Sequence, residues 1–110
     1  MFSPELKKGS IELIVLTILQ EQARHGYDIG RLIEIRSQGR LQFRITSLYP
    51  VLYRMENRGW VKSRWLEKQG EQRRNNYSLT LKGAKILAEQ RELWREFTAA
   101  VNLIVGEGHA

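Results

Sequence analysis

One stretch limits the fold more than any other, Thr46-Ser-Leu-Tyr-Pro-Val-Leu-Tyr-Arg-Met-Glu56. At 100° per residue, Leu48, Leu52, Met55 and Gly59 fall in a narrow arc with Val51 beside them. Ser47, Pro50, Tyr53, Arg54 and Asn57 lie opposite, with Tyr49 at the border. This is an amphipathic helix with an unusual outer face. A plain surface helix would place Glu and Lys there; this one places hydroxyls, an arginine and an amide. Such groups donate to phosphate oxygens and read base edges. Pro50 predicts a helix that starts near Ser47, because only first-turn amides lack an internal partner. Ser47 is then the expected cap, over a helix of about 47–58 that Gly59 ends.

The flanking elements follow from the same reasoning. Residues 10–23 predict a helix capped by Ser10, with Ile11, Ile14, Val15, Ile18 and Leu19 at helical spacing. Arg24-His25-Gly26 breaks it, and a second helix is expected over 26–36. Leu41–Ile45 alternates and predicts a very short strand. Residues 60–66 alternate in the manner of a strand, a polar tip with Gly70 turns the chain, and 73–79 return. Thr80 is a natural cap for a last helix over 81–105, which holds no proline. Three helices, a hairpin and a long helix form the layout of a winged helix-turn-helix domain, mainly α with a β-hairpin wing. The expected division is a DNA-binding domain over 1–80, a dimerisation helix over 81–105 and a mobile tail over 106–110.

Charge sharpens this. Residues 36–74 hold ten Lys/Arg against three Glu, whereas the rest of the 110-residue chain holds eight against nine acids. A concentrated excess points to a polyanion, most often nucleic acid. Candidate DNA contacts are Arg44, Thr46, Ser47, Tyr49, Pro50, Tyr53 and Arg54 around the third helix. Lys62, Arg64, Arg73 and Arg74 join them on the hairpin, where Lys68 also lies. Arg73 and Arg74, as neighbours in a strand, are expected on opposite faces.

The last helix carries Leu87, Trp94 and Val101 at steps of seven, with Phe97 and Ile104 in a second row. About 25 residues of apolar stripe exceed what the three-helix unit covers, so a second copy is the simplest partner. Leu87, Trp94, Phe97, Val101 and Ile104 are the candidate homodimer interface.

Other function classes find little support. The chain has no cysteine, which excludes disulfides and thiolate metal sites and agrees with a cytoplasmic location. No apolar run is long enough to span a membrane, and the first residues lack the apolar core of a secretory signal. His25 and His109 are the two histidines. His25 reads as a helix-start residue. No P-loop, dinucleotide fingerprint or carboxylate cluster appears, so neither an enzyme, a metal nor a cofactor is expected.

Together, "HGYDI" (25–29), "SLYPVLYRMENRGW" (47–60), "RRNNYSLTLKG" (73–83) and "LWREF" (93–97) resemble the PadR family of bacterial transcriptional regulators. The resemblance runs from about residue 6 to 105. It implies a winged helix-turn-helix fold, a homodimer built on the terminal helix, and repression of a promoter with an inverted repeat, often relieved by a small effector. It makes 47–58 the recognition helix, with Ser47, Tyr49 and Pro50 in its signature, and 60–79 the wing. Thr46 departs from the pattern, since the family usually has Gly there. Some members bind planar aromatic compounds between subunits against a tryptophan of the last helix, and Trp94 matches it as the effector contact. A winged protein–protein adaptor and a non-specific nucleic-acid-binding protein are the rival expectations. The adaptor would not need the basic hairpin, and the coating protein would not distinguish an operator from random DNA.

Overall fold

The computed structural model describes residues 4–67 and 74–106. In chain order these form α1 (Pro4–Glu21), β1 (Arg24–His25), α2 (Gly26–Arg36), α3 (Ile45–Asn57), β2 (Val61–Leu66), β3 (Arg74–Leu79) and α4 (Leu81–Val105). Residues 68–73 lie outside the described residues, and with them most of the expected polar tip, Lys68 included, and Arg73 at the start of the expected return strand; so does the tail from 107 onward with His109.

α1 begins well before the expected Ser10. Proline suits the first position of a helix, where its missing N–H costs nothing, and Pro4 stands there. Ser10 is therefore inside the helix, where its hydroxyl donates to the Lys7 carbonyl at 3.3 Å. Ile11, Val15, Leu16, Ile18 and Leu19 of α1 are buried. They pack with Ile29 and Ile33 of α2 and with Leu48, Val51, Leu52 and Met55 of α3 into one core, closed by Val61, Tyr77 and Leu87.

The break after α1 does more than turn the chain. Arg24 and His25 pair antiparallel with Tyr77 and Asn76, so the hairpin gains a third strand in the order β1-β3-β2. α2 keeps the expected bounds. His25 is its cap, with Nδ1 accepting from the Asp28 amide at 3.2 Å.

The strand expected at 41–45 does not form. Leu41 and Phe43 pack on the core while Gln42 and Arg44 face outward, which accounts for the alternation. No ladder partner runs beside them among the described residues, and Ile45 already belongs to α3.

α3 starts two residues before Ser47. Arg44 is the cap residue and contributes only backbone: its carbonyl accepts from the Ser47 amide at 2.8 Å and the Leu48 amide at 3.1 Å. Ser47 is thus no cap, and Pro50 is the sixth helical residue rather than a first-turn one. Its missing N–H leaves the Thr46 carbonyl without its helical donor, so one backbone bond is lost after all. The C-terminus closes as anticipated. Gly59 has φ +80°, its amide donates to Glu56, and the Trp60 amide donates back to Met55 at 2.9 Å. That pair of bonds satisfies the last carbonyls of α3 and needs a left-handed residue between them.

β2 and β3 pair antiparallel from Val61↔Leu79 to Leu66↔Arg74. A tight joint then sets the direction of α4. The Thr80 hydroxyl accepts from the Gly83 amide at 3.0 Å and donates to the Gly59 carbonyl at 2.6 Å. A β-carbon at residue 83 would run into the Trp60 carbonyl and come within 2.8 Å of Leu79 Cδ1, so only glycine fits there. α4 packs its first half on α1 and continues past it, giving the molecule extents of 55 × 30 × 20 Å.

Candidate nucleic-acid interface

α3 turns Leu48, Val51, Leu52 and Met55 inward, and helical geometry then fixes what points out. Thr46, Ser47, Pro50, Arg54 and Asn57 are exposed, as is Arg44 before them. Tyr53 is 66% exposed and stands clear of the core. Tyr49, at 48%, lies on the flank toward the sheet.

Strand register sorts the hairpin. Val61, Ser63, Tyr77 and Leu79 share the inner face, and Lys62, Arg64, Arg74 and Asn76 share the outer one. Lys62, Arg64 and Arg74 are all exposed. They form a single basic face. Whether Arg73 opposes Arg74 lies outside the described residues. The inner face is tied to α3 by the Ser63 hydroxyl, which donates to Glu56 Oε2 at 2.6 Å.

A cleft of about 650 Å³ joins these parts, lined by His25, Gly26, Tyr27, Tyr49, Trp65, Arg74, Asn75 and Tyr77. Arg74 Nη1 stands 3.2 Å from His25 Nε2. With His25 Nδ1 accepting from Asp28, a neutral ring carries its proton on Nε2, so two donors face each other. Arg74 is therefore brought to the cleft without being anchored there. Burial, reinforced by Tyr49 and Glu56, raises the Tyr77 phenol above its ordinary value, so it stays neutral. Sequence reasoning did not single out Tyr27, Trp65 or Asn75 for this cleft. Tyr27 carried a signal, since it sits in the "HGYDI" run and is 71% exposed.

The arginines divide by location. Arg24, Arg31, Arg36, Arg58 and Arg95 each pair with a carboxylate: Arg24 with Glu21 and Asp28, Arg31 with Asp28, Arg36 with Glu21, Arg58 with Glu12 and Arg95 with Glu92. Among the described residues, Arg40, Arg44, Arg54, Arg64 and Arg74 have no carboxylate within ion-pair distance. Among the described residues, Arg91 on α4 is the other arginine in that state. Unneutralised guanidinium groups thus gather beside α3 and on the outer face of the sheet. A patch of this kind draws anions.

The dimer candidates separate into two groups. Leu87 is fully buried in the protomer's own core and has no surface left for a partner, which corrects its expected place in the interface. Trp94, Phe97 and Ile104 are exposed, Ile104 at 86%, and Val101 is half-buried. Leu93, Leu103 and Val105 are also exposed and were not anticipated. Trp94 and Phe97 rings lie 6.4 Å apart.

The model of the transcriptional regulator PadR-like family matches residues 15–89, most of the chain. The chain belongs to the PadR family. A transcriptional regulator from Clostridium thermocellum shares 28% identity and a TM-score of 0.87, over 96% of this chain and 99% of that one. A PadR family regulator from Eggerthella lenta shares 26% identity and a TM-score of 0.82, over 92% and 86%. Bacillus subtilis PadR, solved in complex with operator DNA, shares 20% identity and a TM-score of 0.67, over 73% of this chain and 45% of that one. The fold is that of PadR winged-helix regulators, and this chain is a transcriptional regulator of that family. Among the described residues no helix is long and apolar enough to cross a membrane.

Proposed function

We propose that this PadR-family regulator is a sequence-specific DNA-binding protein acting as a homodimeric repressor of a promoter with an inverted repeat. The observation that carries the reading is the gathering of unpaired arginines around an α3 face of hydroxyls. In this reading Thr46, Ser47, Tyr49, Pro50, Tyr53 and Arg54 enter the major groove, following Arg44. Lys62, Arg64, Arg73 and Arg74 follow the backbone as a wing. Residues 1–80 are then the reading head and 81–105 the dimerisation helix, with Trp94, Phe97, Val101 and Ile104 in the seam. A 25-residue helix is roughly 37 Å long, comparable to the 34 Å between half-sites one DNA turn apart.

A small effector that releases the repressor would enter the recess of about 480 Å³ lined by Leu13 of α1 and Leu93, Trp94 and Phe97 of α4, together with the polar side chains of Glu12 and Gln90. Trp94 is the proposed contact for a planar aromatic compound. The winged fold held in common with the Bacillus subtilis protein is compatible with an operator duplex.

Selection of bound duplexes from a random pool tests the reading. The expected result is an inverted repeat bound at least about 10³-fold more tightly than random duplex. Equal affinity for both would turn the protein into a non-specific binder. Absence of any duplex binding would leave the adaptor reading.

A further inference from the structure

A second open groove, about 740 Å³, lies on the flank of α3 away from the cleft at Tyr49 and Arg74. α1, the loop joining α2 to α3, and α3 itself form its walls. Lys7, Arg40, Arg44 and Arg54 line it with Gln42, Ser47 and a single carboxylate, Glu34. Glu34 is engaged by an amide, Gln42 Nε2 donating to its Oε1 at 3.2 Å, and none of the four cations reaches a carboxylate at ion-pair distance among the described residues. The groove therefore keeps an excess of positive charge open to one side.

Its loop is held in place. Gln38 and Gly39 both adopt left-handed backbone, at φ 57° and 79°. The Gly39 amide donates to Glu34 at 2.8 Å, Arg40 to Ser37 at 3.2 Å, and the Leu41 amide to the Ser37 hydroxyl at 2.9 Å. Arg40 is thus carried on a bonded turn. Lys7 Nζ sits 5.4 Å from the centre of the Phe43 ring, which keeps its charge at the wall. Arg44 and Arg54 extend the charge along roughly 15 Å of α3.

We infer that this groove seats the phosphodiester backbone of the DNA strand on the α1 side of α3, with Lys7 and Arg40 each neutralising a phosphate. The inference rests on the DNA-binding reading above. It gives the reading helix a charged wall on each flank, matching the two backbones that border a major groove. Phosphate contacts of this kind add affinity and orientation without reading sequence.

The test is the salt dependence of binding, measured by fluorescence anisotropy with the selected operator and with a mixed-sequence duplex. Arg40→Gln and Lys7→Gln are each compared with wild type, and Arg36→Gln removes the same charge outside the groove. Each groove variant is expected to lower the slope of log K against log salt by about one and to weaken both duplexes by the same factor. Arg36→Gln is expected to keep the wild-type slope. Because Arg40 is an exposed loop residue, its variant reports on binding even if Lys7→Gln unsettles the wall at Phe43. Unchanged slopes in both groove variants, with wild type still binding, would overturn the groove and leave the DNA reading intact. A loss confined to the operator would make these residues base readers and also overturn it. A wild-type protein that binds neither duplex would overturn the DNA reading itself.

Discussion

α3 and α4 both show aromatic side chains to solvent, and they do so in opposite company. On α3, Tyr49 and Tyr53 carry hydroxyls and stand among Arg44, Ser47 and Arg54, with a fully buried stripe behind them. On α4, Trp94 and Phe97 stand with exposed Leu93, Leu103, Ile104 and Val105, and no residue of the last turns is buried. A face of the first kind loses little by staying in water and gains from an anion. A face of the second kind gains from another apolar surface. The same residue class thus points to two different partners, and the neighbours decide which.

The joint between the two helices offers the sharpest way to break this comparison. Gly83→Ala should destabilise the fold by about 3 kcal/mol, read by denaturant unfolding, because its β-carbon meets backbone. A variant as stable as wild type would mean α4 leaves the head at a different angle. Next, Ile104→Glu should raise the monomer–dimer dissociation constant about a hundredfold in sedimentation, with the head still folded. An unchanged constant would take the end of α4 out of the seam. Arg54→Ala should cost operator binding about tenfold, within the 1–3 kcal/mol of a base contact, and affect random duplex much less. Equal losses would reduce Arg54 to a phosphate contact.

The smallest effect concerns the anchor of α2. Burial alone would raise Asp28, but hydrogen bonds from Arg31 and Arg24 win, and its carboxyl is held below the ordinary 3.8. A depressed carboxylate stabilises the fold above its unfolded value and loses that contribution as pH falls through the folded value. Asp28→Asn should therefore be less stable than wild type at neutral pH. The two unfolding curves should converge as pH drops below about 3.8. A gap that stays constant with pH would mean packing rather than charge.

Most of the fold was legible because its signals are periodic. The α2 bounds, the buried arc of Leu48, Val51, Leu52 and Met55, the paired strands and the Thr80 cap all follow from spacing or from one residue's chemistry. The failures share a cause as well. β1 has two residues and can show no period. Leu41–Ile45 alternates because one side packs, which needs no ladder. Pro50 suggested a helix start by its missing N–H, but Thr46, whose carbonyl loses that donor, is an exposed residue, and a carbonyl that water reaches loses little. Leu87 kept step with Trp94 and Val101 and still belongs to another surface, because a heptad does not say which neighbour covers each turn. For the site, the sequence offered the basic segment and the α3 face. The cleft of His25, Tyr27, Trp65 and Arg74, and the groove of Lys7 and Arg40, join residues from distant parts of the chain, and only folding brings them together.

The hydroxyl of Thr80 touches both ends of this arrangement, the Gly59 carbonyl where α3 finishes and the Gly83 amide where α4 starts. One small side chain therefore acts as a protractor. A tilt of ten degrees at that point, carried along the roughly 37 Å of α4, moves its far end by roughly 6 Å, close to two base-pair steps. In a dimer joined through α4, the gap between the two reading heads would be set here.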